Sequence, residues 1–174
     1  SGEAYGEFLS EIFDEWVRQD VGSVFVQLFE TCVGVWLGYP ASICIFNETC
    51  GNCLALEHNG DLYACDHYVQ PDARLGSISV NSITEMAISD QQRQFGQDKK
   101  SLLPNQCLRC DVRFICNGGC PKNRILPPKG ETLPINHLCG GYQSFFRHID
   151  RPMKVFAGLI KAGRAPKEIM SVEF

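Results

Sequence analysis

The stretch CLRCDVRFICNGGC places Cys107, Cys110, Cys116 and Cys120 within fourteen residues, with gaps of two, five and three. Two thiols separated by two residues converge on one metal, because a tight turn brings both sulfurs within bonding reach of an ion at about 2.3 Å. Cys107 and Cys110 have that spacing. Cys120 is last in the run and is followed by Pro121. In the two-cluster ferredoxin pattern the cysteine so placed ligates the other cluster instead of joining its neighbours. That analogy predicts two metal sites, with Cys107, Cys110 and Cys116 on one and Cys120 crossing to the other. Each then needs outside ligands, and Cys139 downstream with Cys44, Cys50 and Cys65 upstream completes two sets of four. Cys32 and Cys53 are left over. Cys32 lies in an apolar stretch and reads as a small buried hydrophobe, whereas Cys53, three residues after Cys50, mimics a ligand pair. Structural zinc fits these spacings as well as iron-sulfur does. A disulfide framework fits poorly, because ten cysteines in 174 residues is below the density of a small secreted scaffold.

The remaining composition narrows the setting. The formal charge is −4, from 16 Lys and Arg against 20 Asp and Glu, and the basic residues are scattered, which argues against a nucleic-acid partner. No apolar run approaches the roughly 20 residues that span a bilayer, and SGEAYGEFLSEIF lacks the basic region of a signal peptide. No membrane association is expected. The expected location is a reducing cytoplasm, where thiols serve metals or redox chemistry.

The elements that must position the cysteines are legible in outline. Phe8, Leu9, Ile12, Phe13, Trp16 and Val17 recur at helical spacing and predict an amphipathic helix. VGSVFVQLFE, a β-branched and aromatic run after a glycine turn, predicts a buried strand. Residues 39–53 read as an irregular loop. CLALEHNGDLYACD predicts a β-hairpin turning at Asn59, Gly60 and Asp61, with Cys65 at the end of its second strand. A helix is expected from Ser82 to Phe95, with Ser82 as cap and Glu85 at the capping-box position. PPKGETLPINHLC reads as loop, and a closing helix is expected from Tyr142 to Ile160, bent at Pro152.

Taken together, Gly60, Cys65, the CxxC pair, Cys116, Cys120 and Cys139 resemble the seven-cysteine SPASM motif that ends many radical S-adenosylmethionine enzymes. Cys44, Cys50, CDHYV and RLGSI most resemble the anaerobic sulfatase-maturating enzymes, and the likeness runs from about Tyr5 to about Ile149. The resemblance implies two auxiliary 4Fe-4S clusters. One would be held by Cys44, Cys50, Cys65 and Cys120, the other by Cys107, Cys110, Cys116 and Cys139. It implies conversion of a serine or cysteine in a sulfatase polypeptide to formylglycine. In that reaction a 5′-deoxyadenosyl radical removes a β-hydrogen, a base takes the hydroxyl or thiol proton, and one electron leaves for the clusters; an electron donor protein is the further partner the resemblance implies. Asp66 matches the proposed base. On position alone it reads as a turn or cap residue at a strand end. His67 and Tyr68 flank the same place, and surface or capping roles are expected for His58, His137 and His148.

One feature departs from the family. The triad CxxxCxxC that holds the catalytic cluster is missing, since Cys116 and Cys120 are four apart but Asn123 stands at the third place. The chain therefore reads as the C-terminal portion of a longer enzyme, inactive alone, with S-adenosylmethionine and a third cluster belonging to the longer protein. The expected fold class is α+β: a small hairpin, helices and cysteine-rich loops around metal sites, preceded by the terminal helix and strand of a truncated partial (β/α) barrel. The expected division is 1–40 barrel tail, 41–150 auxiliary-cluster domain and 151–174 C-terminal helix and tail.

Overall fold

The first helix, α1 (Gly2–Gln19), turns four of the six residues of the predicted apolar stripe inward: Leu9, Phe13, Trp16 and Val17 are buried, whereas Phe8 and Ile12 are exposed, and the Ser1 hydroxyl caps the helix by accepting from Ala4 N. The computed structural model describes residues 1–127, 130 and 132–174. The chain then turns at Gly22, whose φ is +84°, and enters α2 (Gln27–Trp36). The strand expected over residues 21–30 is therefore a turn followed by a helix. Phe29, Cys32 and Val33 are buried at helical spacing, a period that emerges only past Glu30, where the β-branched run gives out. The burial of that face against the neighbouring helices decides against local β propensity. Cys32 is fully buried among apolar neighbours, as its surroundings predicted.

After the loop come β1 (Ala55–Leu56), β2 (Asp61–Tyr63) and β3 (Arg74–Ser77), an antiparallel sheet in the order β1-β2-β3. The hairpin turns as expected, with Ala55 opposite Tyr63, although Asp61 already belongs to β2 and pairs with Ser77. The helix expected from Ser82 to Phe95 is two helices, α3 (Ile83–Ala87) and α4 (Asp90–Ser101). Ser82 occupies the cap position without making the capping bond, while Ser89 does cap α4 by accepting from Gln92 N at 3.2 Å. A second strong N-cap residue inside the apolar pattern restarts the helix. Two one-turn helices follow, α5 (Asn105–Leu108) and α6 (Arg113–Cys116), then a two-stranded ladder of β4 (Arg124–Leu126) and β5 (Ile135–Asn136). The expected loop over 127–139 thus contains β5, and its residues Pro128, Lys129 and Glu131 lie outside the described residues.

The closing helix is also two, α7 (Cys139–His148) and α8 (Asp150–Lys161). They break at Ile149 and not at Pro152. Pro152 falls in the first turn of α8, where its missing N–H leaves no helical bond unmade. One core joins α1, α2, α7 and α8, with Phe13, Phe29 and Phe156 around Trp16 and Phe145 against Phe13 and Phe29. The α1–α7 crossing is close enough that a Cβ on Gly141 would lie 1.9 Å from the Gly2 carbonyl oxygen. This crossing anchors Cys139, the first residue of α7. Among the described residues no helix is long and apolar enough to cross a membrane.

Candidate metal centres

Four of the expected ligands line one cavity, and the other four lie near one another around Cys120. Cys107, Cys110, Cys116 and Cys139 line one cavity with Gln106, Arg113, Gly118, Asn136 and Gln143, enclosing about 370 Å³ of atom-free space that partly opens to solvent. Cys107 and Cys110 are brought together by the turn closing α5, in which Cys110 N donates to Cys107 O at 3.2 Å. Cys116 ends α6 and Cys139 starts α7. Burial pushes the Cys116 thiol up to about 12, opposed by the Gly118 backbone N–H and reinforced by Cys139, Cys107 and Cys110. Gln143 Nε2 donates to Cys139 Sγ at 3.5 Å.

The other group forms around Cys120. Burial raises the Cys44 thiol, as do neighbouring Cys53, Cys120 and Asp66, and burial raises Cys50, with Cys120 and Cys44 among its neighbours. Burial also lifts Cys65 to about 11, with Asp66 and Cys120 adding to it. Cys120 Sγ lies 3.5 Å from His67 Nδ1. Cys53 is exposed and faces Cys44.

A chain reversal sends Cys116 and Cys120 to different groups although only three residues separate them. Asn117, Gly118 and Gly119 have successive φ values of 45°, 72° and 62°. Three left-handed residues in a row turn the backbone back on itself, and a Cβ at Gly119 would also meet Asn136 Nδ2 at 2.5 Å. The sequence signal for this turn was the NGG triplet itself.

The Cys50 loop is fixed to α4. Cys50 N donates to Gly96 O at 3.2 Å, and the buried Gln92 reaches from the same face to Gly51 O at 2.7 Å and Ala64 O at 3.1 Å. Lys99, a turn further on, is buried and donates to Cys44 O and Ile45 O; burial draws its ammonium down to about 8 against the pull of Cys50. None of Gln92, Lys99, Arg124 or Asn136 carries a motif, and sequence reading passed over all four.

Asp66 opens a one-turn helix, Asp66–Tyr68, directly after Cys65. Its side chain is 69% exposed, accepts from Cys65 Sγ at 3.2 Å and lies 4.0 Å from His67 Nε2. The hydrogen bond from Cys65 holds its carboxyl below the usual range. Tyr68 packs on Phe95 beneath the Lys122 ammonium. His137 Nδ1 lies 3.3 Å from Asn123 O, His148 pairs with Asp14 at 2.7 Å, and His58 is exposed beside Glu57.

The residues fit iron-sulfur clusters on two observations. Among the described residues no three His, Cys, Asp or Glu side chains gather tightly enough to share one metal ion. Four thiols that ring a cavity without converging on one point suit a cube in which each binds a separate iron. Secondly, Asn136, lining the same cavity, is 3% exposed and its Nδ2 has no partner among the described residues, while its Oδ1 accepts from Leu138 N at 2.9 Å. An orphaned buried donor is costly unless an acceptor arrives, and cluster sulfur is such an acceptor.

Comparison with known proteins agrees with this chemistry. Residues 44–111 match the SPASM family, an iron-sulfur cluster-binding domain. The chain is 41% identical over 170 residues to the serine-type anaerobic sulfatase-maturating enzyme of Bacteroides thetaiotaomicron, covering 98% of this chain and 41% of that protein. It is 27% identical over 146 residues to the cysteine-type enzyme of Clostridium perfringens, covering 83% of this chain and 39% of that one. Among solved structures, native anSMEcpe with bound AdoMet and Cp18Cys peptide superposes with a TM-score of 0.79 at 27% identity, over 92% of this chain and 44% of that one. The chain thus spans about two fifths of the length of the curated relatives it matches. Over residues 44–111 it is thus similar to the SPASM iron-sulfur domain, and over most of its length to the anaerobic sulfatase-maturating enzymes.

Proposed function

We propose that this chain is the C-terminal, auxiliary-cluster and substrate-binding portion of a longer radical S-adenosylmethionine oxidoreductase that converts a sulfatase serine or cysteine to formylglycine in a reducing cytoplasm. The observation that carries the reading is the division of eight cysteines into two separate groups within a chain so similar to such enzymes. Cys44, Cys50, Cys65 and Cys120 would hold one 4Fe-4S cluster; Cys107, Cys110, Cys116 and Cys139 would hold the other. When bound, such clusters supply one-electron carriers with no iron left open to substrate. Residues 1–40, two helices here, would be the tail of the upstream catalytic portion. Supporting this, they expose Phe8, Val24, Phe25 and Tyr39, Phe25 by 75%, and such surface suits a covering domain.

Asp66 supplies the base. Its carboxylate is exposed, and so ionised at neutral pH as an aspartate in water is, and it is held one residue from Cys65. It would accept the hydroxyl or thiol proton at Oδ2, the oxygen not engaged by Cys65, while the β-hydrogen leaves to the radical made upstream and one electron passes on to the carriers and a redox partner protein; a serine would give the aldehyde directly, and a cysteine a thioaldehyde that water then hydrolyses with loss of hydrogen sulfide. A general base positioned in this way supplies 10²–10⁴ in rate.

Two measurements test the reading. Anaerobic reconstitution of this chain should yield roughly eight irons and eight sulfides, four per cluster, with no 5′-deoxyadenosine released from S-adenosylmethionine and dithionite, because no CxxxCxxC triad is present. In the longer enzyme Asp66→Asn should keep its irons and still cleave S-adenosylmethionine, yet form formylglycine at least about tenfold more slowly. One or two zincs in place of iron would sink the cluster assignment, and normal formylglycine yield would sink the role of Asp66.

A further inference from the structure

Two buried cations near the cysteines have no carboxylate partner among the described residues. Lys99, in α4, is 1% exposed, and among the described residues its ammonium donates to the carbonyls of Cys44 at 2.7 Å and Ile45 at 3.0 Å. Arg124, at the start of β4, is 8% exposed and donates to the carbonyls of Gly118 at 3.2 Å, Asn117 at 3.1 Å and Gly119 at 3.4 Å. Neither forms an ion pair among the described residues, whose lysine and arginine pairs involve Arg74, Arg93, Lys100, Arg147, Lys154 and Arg164. Carbonyl dipoles satisfy the protons but leave the charge uncompensated, and an uncompensated buried charge is among the most expensive features a fold can keep.

Cysteine surrounds both cations, and the two differ in what they face. Lys99 interacts with Cys50, Cys44 and Cys120, all in the first group. Arg124 interacts with Cys107 and Cys116 of the second group and with Cys120 and Cys50 of the first. Both side chains line one cavity with Cys50, Tyr68 and Phe95. Arg124 is tied to the Asn117–Gly119 reversal, the segment that divides the two groups.

We propose that Lys99 and Arg124 are fixed counter-cations of the two clusters, Lys99 serving the first group alone and Arg124 shared between both. The proposal rests on the two-cluster reading above. Four thiolates give a cluster net negative charge, and reduction adds one more unit, so a buried cation nearby favours the reduced form and raises the potential. A cation shared between two carriers raises both, and the second cation raises the first group further. Lys99 and Arg124 would thereby set the direction of electron flow between the groups without touching a cluster iron.

The test uses the whole chain, reconstituted anaerobically. Iron and sulfide content of the unsubstituted chain comes first: about eight of each supports the two-cluster reading, and their absence overturns that reading before any cation is altered. Potentials are then followed by paramagnetic resonance in chains that keep one group, Cys110→Ala with Cys139→Ala leaving the first and Cys44→Ala with Cys65→Ala leaving the second. Glutamine keeps an N–H donor for the carbonyls and removes the charge. Lys99→Gln should disfavour reduction of the first cluster at least about tenfold, about 59 mV for one electron, and leave the second unmoved. Arg124→Gln should lower both, and Lys99→Arg should restore the first. A Lys99→Gln shift below about threefold, or one equal in both groups, overturns the proposal. Should one glutamine variant fail to fold, the other cation tests the same rule independently, with Arg124→Gln required to move the second group.

Discussion

Gly96→Ala should remove one cluster and leave the other. The substitution looks favourable by local rules, since Gly96 lies inside α4 and alanine gains about 1 kcal/mol over glycine in a helix interior. The structure opposes it. A Cβ at Gly96 would lie 2.4 Å from Cys50 O and 3.2 Å from Cys50 C, where ordinary contact begins at 3.4 Å, so the Cys50 loop must retreat by about 1 Å. That movement breaks the 3.2 Å bond from Cys50 N to Gly96 O, a loss of about 1 kcal/mol, and adds about 1–3 kcal/mol of overpacking. Against the helix gain the net is about 1–3 kcal/mol of destabilisation. The larger consequence is positional, because Cys50 moves with its loop. Anaerobic reconstitution should give roughly four irons per chain in place of eight, while urea unfolding of the cluster-free chain reads the stability. A variant that gained about 1 kcal/mol and still bound all its iron would refute the claim that α4 holds the Cys50 loop in place.

Gly141→Ala should destabilise by about 1–3 kcal/mol or more, its Cβ falling 1.9 Å from Gly2 O and forcing α1 off α7. Gly158→Ala, exposed in α8 with nothing within 4 Å, should instead stabilise by about 0.5–1 kcal/mol; thermal unfolding of the pair shows whether close approach or helix propensity governs each glycine. Cys53→Ser, at an exposed position, should leave iron content unchanged and stability within about 0.5 kcal/mol, whereas loss of a cluster in that variant would make Cys53 a ligand.

What the sequence made legible was decided by short-range signals. The hairpin turn at Asn59 and Gly60 was visible because turn chemistry is local, and the cysteine spacing was visible because thiols close in sequence must share a site or be steered apart. The misreadings arose where the deciding partner was distant. Val21 to Glu30 looks like strand until Cys32 and Val33 show their helical spacing against a core that includes Phe145 and Phe156. The break at Ser89 was hidden by continuous helical patterning, and Pro152 drew attention from Ile149 although a first-turn proline bends nothing. Lys99 and Arg124 could not be singled out at all. A lysine on a polar helix such as α4 reads as a solvated charge, and only the packing of the Cys44 and Cys50 loops over its side chain makes it a buried one.

The NGG reversal ties the two sites together. Cys116 and Cys120 are held at the ends of three left-handed residues, with Arg124 bonded to the carbonyls of all three. With the proposed ligands, metal bound by Cys120 would fix one end of a segment whose other end, Cys116, would be a ligand of the second site, and the Arg124 charge would be stabilised by whichever site fills first. Filling either site orders the reversal, so the second binding event meets a ligand already placed and loses less conformational entropy. Loading should consequently be cooperative: at substoichiometric iron, chains with two clusters should outnumber the random expectation, as native mass spectrometry counts them. The coupling must weaken when Gly118 is replaced by alanine, because its φ of 72° then becomes strained and its Cβ meets Leu103 Cδ2 at 2.6 Å. A statistical mixture of one-cluster and two-cluster chains in the unsubstituted protein would show that the reversal is rigid before any metal arrives, and that the two groups fill independently.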